Sequence, residues 1–298
     1  MKLLKEIRDI ILFIFRDVER KHLQVVAAGV AFYFLTSLFP ALLLVAAVLT
    51  YLPLQNAVHG ASAFMGHVMP PQAMSLMEGA LTAITPHRTG LLSVGIVTSL
   101  WIASIGIKGV IAGLDIVYDV RVPRSLWINR LLAFGLAGAV GVLMLLGVLL
   151  TLAGPLLESA LEAAVPVQSL WISLWPYIQW SFSAISTFAA IELLYLFAPN
   201  VPARQRMTVP GAVIAASSWL ALSWGLSFYF SHFGALKFNR LYGALATPMV
   251  LMFWLNWGAL AILIGAEINV SLQFHKNRKV SAPLQERREQ VNHLSTSR

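Results

Sequence analysis

The sequence predicts an all-α, polytopic membrane protein with six transmembrane helices, both termini cytoplasmic, and short amphipathic helices beside them. Three observations carry that expectation. Apolar residues make up 58% of the 298 and charged residues 11%, where ordinary globular chains have about 45–50% and about 25%. Uncharged runs recur that are long enough for the roughly 20 residues of a spanning helix. Lysine and arginine are shared unequally between the segments that connect those runs.

Taken in order, the spans fall at about 26–49, 90–110, 131–153, 174–198, 209–230 and 245–270. With both ends inside, 18 of the 21 Lys and Arg lie on the inner side or at its interface. Six precede Val26, four lie between Lys108 and Arg130, two are Arg204 and Arg206, and six follow Val270; only Arg88, Lys237 and Arg240 lie outside. This is the asymmetry that the positive-inside rule predicts. Runs so continuously apolar exclude a barrel, whose strands alternate, and leave helices that satisfy their own backbone.

Three regions follow: an amphipathic N-terminal helix over 1–25, a membrane domain over 26–270 and a polar tail over 271–298 expected to be disordered. In the first, Ile7, Ile10, Ile11, Ile14, Phe15 and Val18 recur at helical spacing opposite Arg8, Asp9, Arg16 and Asp17. Such a helix either lies on the inner membrane surface or packs as a lid on the bundle. A second amphipathic helix is expected on the outer side after Pro70 and Pro71, within 54–88.

Four polar residues inside the spans need a partner or water. They are Lys108 near the inner end of the second span, Glu192 in the fourth, and Asn256 and Glu267 in the sixth. A charge at depth costs several kcal/mol by insertion scales, so such groups pair with each other or face a cavity. Lys108, Glu192, Asn256 and Glu267 therefore define a candidate polar cavity open to the inner side, with ion pairing, snorkelling or a proton relay as the other readings. Asn256 suits a helix-to-helix hydrogen bond as well as a ligand contact. Pro40, Tyr242 and Gly243 are candidate structural or gating positions, Pro40 because it removes a hydrogen bond in the middle of the first span. Gly135, Gly138 and Gly141 of the third span suit close helix packing, within the monomer or between copies. Asp115, Asp119, Arg121 and Arg124 form either a short polar helix gripping the inner rim or a solvated loop.

Several chemistries are excluded. Without cysteine there is no disulfide, thiolate nucleophile or thiolate metal site. No His-Glu-x-x-His, phosphate loop or Gly-x-Ser-x-Gly elbow occurs. The inner basic residues are dispersed over four segments and topology explains them, so no nucleic acid partner is expected. No catalytic residue, cofactor or metal is assigned.

The runs "AAGVAFYFLTSLFPALLLVAAVL" from Ala27, "GVIAGLDIVYDV" after Trp101, "PGAVIAASSW" from Pro210 and "YGALATPMVLMFWLNWGALAILIGAEIN" from Tyr242 closely resemble the bacterial YihY family, also called the virulence factor BrkB family. The family pattern falls on Ala31, Tyr33, Ser37, Pro40, Trp101, Tyr118, Pro210, Gly211, Trp219, Tyr242, Gly243, Trp254, Gly265, Glu267 and Asn269. Asp115 departs from it, relatives commonly having asparagine there. The resemblance implies a multi-pass protein of the bacterial inner membrane with about six helices, for which the old label ribonuclease BN is mistaken. It also implies a role in envelope lipid traffic. The expectation is a non-enzymatic protein that handles or transports a lipid or amphipathic solute, with membrane lipids as partners and an envelope protein or a second copy of the chain as further ones. A membrane scaffold and a secondary transporter of a small solute are the alternatives.

Overall fold

The computed structural model describes residues 2–49, 92–122, 124–160, 165–202, 207–230, 232 and 246–296. Its elements are helices: α1 Lys2–Arg20, α2 Leu23–Leu49, α3 Leu92–Val117, α4 Leu126–Ala160, α5 Val165–Phe197, α6 Val209–Tyr229 and α7 Ala246–Thr296. Helices α3 to α7 each hold a stretch long and apolar enough to cross a membrane, and α2 holds a shorter one, Leu23–Leu38, within its 27 residues. The protein is an all-α, multi-pass membrane protein. The expected outer amphipathic helix, with Tyr242 and Gly243, lies outside the described residues.

From α2 to α7 each helix packs against the next, and α7 closes the ring onto α2 while also touching α3 and α1. The core of this ring is Leu23, Ala27 and Val30 of α2, Val110, Ile111 and Leu114 of α3, Tyr195 of α5, Ala212 and Ala215 of α6, and Leu263 and Ala266 of α7. Lipid is as apolar as these side chains, so close backbone approach through small residues has to supply the cohesion. Helix α3 provides it through Gly106, where a Cβ would overlap Ser37, and through Gly109, where one would come within 2.7 Å of the Tyr33 ring. The α4 glycines behave otherwise: a Cβ on Gly135, Gly138 or Gly141 meets nothing within 4 Å. Within this chain close packing is made by α3 and by the α6–α7 contact, while α4 turns its glycine face away from the bundle.

Three helix ends are closed by side chains from elsewhere in the chain. Thr208, the N-cap of α6, makes no side-chain cap bond, because its hydroxyl donates to Glu192 Oε1 at 2.5 Å. Asn269 of α7 takes over: its Oδ1 accepts from the Gly211 N–H at 2.7 Å and its Nδ2 donates to the Thr208 carbonyl at 2.9 Å. Tyr195 donates to the Ile262 carbonyl at 2.5 Å from the α5 side. This junction needs two glycines. A Cβ on Gly211 would overlap the Gly265 carbonyl oxygen and Asn269, and one on Gly265 would press on the Tyr195 hydroxyl and the Gly211 carbonyl oxygen.

The C-terminal end of α5 is held by Arg124, which donates to the carbonyls of Ala198 at 2.6 Å, Pro199 at 3.0 Å and Phe197 at 3.3 Å. Asn200 donates through its N–H to Asp115 at 3.1 Å and through Nδ2 to the Val122 carbonyl at 2.8 Å. Helix α3 ends in a left-handed residue, Asp119 (φ 49), with Val120 N–H donating to the Asp115 carbonyl and Asp119 N–H to the Ile116 carbonyl. That is a Schellman closure with aspartate in place of the usual glycine. The segment with Asp115 and Arg124 thus grips the end of α5, although as a helix end and a short connection instead of a separate polar helix.

Helix α1 packs against α7. Phe13 stacks on Phe274 of α7 at 5.9 Å, and α1 stops at His22 (φ 48) before α2 begins. Leu12 and Phe15 remain exposed on its outer face. Helix α7 runs on through the polar tail to Thr296. Its Glu, Gln, Arg, Lys and Leu are good helix formers, and polarity alone did not reveal that. Pro40 lies inside α2, where Thr36 and Ser37 donate to the carbonyls of Tyr33 and Phe34, each at 3.0 Å, and not to the carbonyl that the proline leaves free.

Gly211→Ala is expected to lower the unfolding midpoint in detergent strongly, by the roughly 1–3 kcal/mol typical of overpacking. Gly135→Ala, where there is open space, should leave it unchanged or raise it slightly. Equal effects would contradict the close α6–α7 approach.

Candidate functional site: an inner latch and cations within the spans

The four residues expected to share a cavity are not brought together by any contact among the described residues. Glu267 is fully buried, and its Oε2 accepts from Lys21 Nζ at 3.0 Å. The same ammonium donates to the Val117 carbonyl at 2.6 Å and lies 3.5 Å from both Asp17 and Asp119. Arg20 adds a 3.0 Å pair with Asp17. Lys21 therefore ties the end of α1 to the last turn of α3 and to α7. Its position follows from local structure. The left-handed turn at His22 holds Lys21 at the junction of the two helices, and the carbonyl it meets belongs to the last turn of α3, where carbonyls lack intrahelical partners. Glu267 Oε1 stays buried without a hydrogen bond.

Glu192 belongs to the α6 junction, with Oε1 on Thr208 and Oε2 buried without a partner. Asn256 lies 13 residues outward of Asn269 along α7, about 20 Å. Its Oδ1 is buried without a hydrogen bond. Near it in sequence, Trp254 donates to the Ser223 hydroxyl at 3.0 Å and meets Trp219 edge to face at 5.1 Å. That tryptophan pair joins α6 to α7 where Asn256 was expected to act as the clamp.

Lys108 stands apart from these groups. It is exposed, nine residues from the inner end of α3 and so about 13 Å along it. The sequence placed it close to the inner end of a span stopping at 110, but α3 continues through Val117. Arg130, counted with the inner connection, is the fifth residue of α4 and lies within its candidate span Leu126–Gly147. Its guanidinium covers the Trp101 ring at 3.9 Å and donates to the Trp101 carbonyl at 2.9 Å. Arg130 and Lys21 are the polar residues that sequence reasoning missed. Arg130 was absorbed into the count of inner charges, and the signal for Lys21 was the buried Glu267 needing a cation.

Among the described residues no group of three or more His, Asp or Glu could hold a metal ion. A groove of about 280 Å³ lies at the outer ends of α6 and α7, lined by Leu226, Tyr229, Phe230, Met249, Val250 and Phe253. Its walls are apolar and aromatic.

Breaking the latch on one side has a defined consequence. Lys21→Met leaves the Glu267 carboxylate buried without its cation and should cost about 3–5 kcal/mol, while Lys21→Met with Glu267→Gln should recover most of it. Chemical unfolding in detergent micelles reads both; a double variant as weak as the single one would rule out the pair as the source.

Comparison with known proteins agrees with this architecture. The family described as virulence factor BrkB matches residues 14–290. The ribonuclease-like protein YfkH of Bacillus subtilis is 34% identical over 255 residues, covering 85% of this chain and 90% of that protein. A UPF0761 membrane protein of Tolumonas auensis is 27% identical over 264 residues, 87% of this chain and 84% of the relative. No solved structure matches. With the family pattern covering nearly the whole chain and the helices able to span a bilayer, this protein belongs to the virulence factor BrkB family, also known as YihY or UPF0761, of multi-pass inner-membrane proteins.

Proposed function

We propose that the protein is a non-enzymatic handler of a lipid or amphipathic solute in the inner membrane, passing it between the bilayer and a partner or between leaflets. The observation that carries this reading is the groove between α6 and α7. Its lining among the described residues is apolar or aromatic, and its volume is close to the lower end of ligand pockets, about 300–1,000 Å³. An acyl chain fits such a wall. A hydrophilic solute would lose its hydrogen bonds there, and a transporter for one is expected to hold its site near the midplane at facing broken helices.

The name of the Bacillus subtilis relative raises nuclease activity. The basic residues here argue against it: Lys21 is committed to Glu267 and Arg124 to the end of α5, and Lys108 and Arg130 are two isolated cations on neighbouring helices. They form no stripe along which a phosphate backbone could run.

In vesicles, the reconstituted protein is expected to accelerate transfer or flip-flop of a fluorescent phospholipid several-fold over an unrelated six-helix protein. Val250→Trp, which fills the groove, should remove most of that acceleration at unchanged protein level. No acceleration by the unaltered protein, together with a stoichiometric protein partner on purification, would favour a scaffold.

A further inference from the structure

Lys108 of α3 and Arg130 of α4 differ from the other cations of the bundle. Lys21 and Arg20 sit among Asp17, Asp119 and Glu267. No carboxylate among the described residues pairs with Lys108 or Arg130. Each is within a helix that crosses the membrane, where a cation without a counter-charge is unfavourable. Bundle stability does not require that expense, because neither side chain closes a helix end.

Their placement relates them to each other. Lys108 is seven residues from Trp101, which on an α-helix is two turns with the side chains on one face, about 10 Å apart along the axis. Both are exposed on that face, with Ala112 and Ile116 continuing it inward. Arg130 of the neighbouring helix lies over the Trp101 ring and spends one N–H on the Trp101 carbonyl. Its Nε is buried without a partner. A guanidinium over an indole with one N–H on a carbonyl still has an unpartnered N–H, and its planar donor fork is the shape that matches two oxygens of a phosphate. Leu131, next to Arg130 on α4, is exposed and adds apolar surface for acyl chains.

We propose that the Trp101, Lys108 and Arg130 face binds the phosphate of an anionic phospholipid headgroup, taken from the membrane and not from water. Arg130 grips the phosphate oxygens while Lys108 supplies a second positive charge from two turns further inward. The anion removes the cost of two unpaired cations, and the surrounding apolar surface selects a lipid over a soluble phosphate. This rests on the lipid-handling reading and gives it a headgroup.

The test uses the full chain in nanodiscs of equimolar phosphatidylglycerol and phosphatidylcholine, then native mass spectrometry of the lipids retained after detergent release. The expected result is retained phosphatidylglycerol at least fivefold over phosphatidylcholine, falling towards parity in Arg130→Gln and in Lys108→Gln, and unaffected by 10 mM inorganic phosphate, which are round values chosen to exceed a weak nonspecific preference. Lys108→Gln breaks no contact among the described residues, so it reports on the site even if Arg130→Gln folds poorly. Enrichment unchanged in Lys108→Gln and in a folded Arg130→Gln, or displaced by inorganic phosphate, would overturn the headgroup site. Lipid retained without any headgroup preference would overturn it too while leaving lipid handling intact, whereas retention no greater than that of an unrelated six-helix protein would overturn both.

Discussion

A helix that ends in or near a bilayer leaves four N–H or four C=O groups without intrahelical partners, and there is little water to accept them. Much of the polar chemistry on the inner side of this protein answers that constraint. Asn269 closes the start of α6, Arg124 the end of α5 and Lys21 the end of α3. Each closing side chain comes from a different helix or connection than the end it serves. Capping is thereby converted into tertiary structure, and three short-range problems fix the relative depth of α1, α3, α5, α6 and α7.

Glu267 gains its role from this arrangement. It neutralises a lysine whose other duty is to the Val117 carbonyl, so the carboxylate, the helix end and the N-terminal helix form one unit. Glu192 acts in parallel by drawing the Thr208 hydroxyl away from local capping, which leaves the α6 start dependent on Asn269. Both acids thus contribute one oxygen to the closing of a helix end. Lys108 and Arg130 close no helix end, and that contrast is the reason for assigning a ligand to them.

That the chain folds into several apolar helices long enough to cross a membrane was legible because it depends on composition over windows of about 20 residues. Lys21 with Glu267 was not, since the partners are 246 residues apart and either acid could have claimed any of several inner cations. Depth was misread at two places for one reason. Charged residues at a helix end look like a connection, so α3 was stopped before Asp115 and α4 was begun after Arg130, although both belong to helices. The glycine pattern was recognised on α4, but spacing does not say which face of a helix meets a neighbour. The glycines that are needed are on α3, α6 and α7. The family motif around Gly211, Gly265, Glu267 and Asn269 gains a physical account, as the backbone contact and the latches of the inner side.

The central claim is that this inner side is held by caps supplied between helices. Hydrogen exchange at the Gly211 amide in nanodiscs tests it most directly, because that proton has one acceptor, Asn269 Oδ1. In Asn269→Ala the account predicts exchange at Gly211 faster by on the order of tenfold, the effect of losing one buried hydrogen bond, with the middle of α6 unchanged. Equal protection in the two proteins would contradict it.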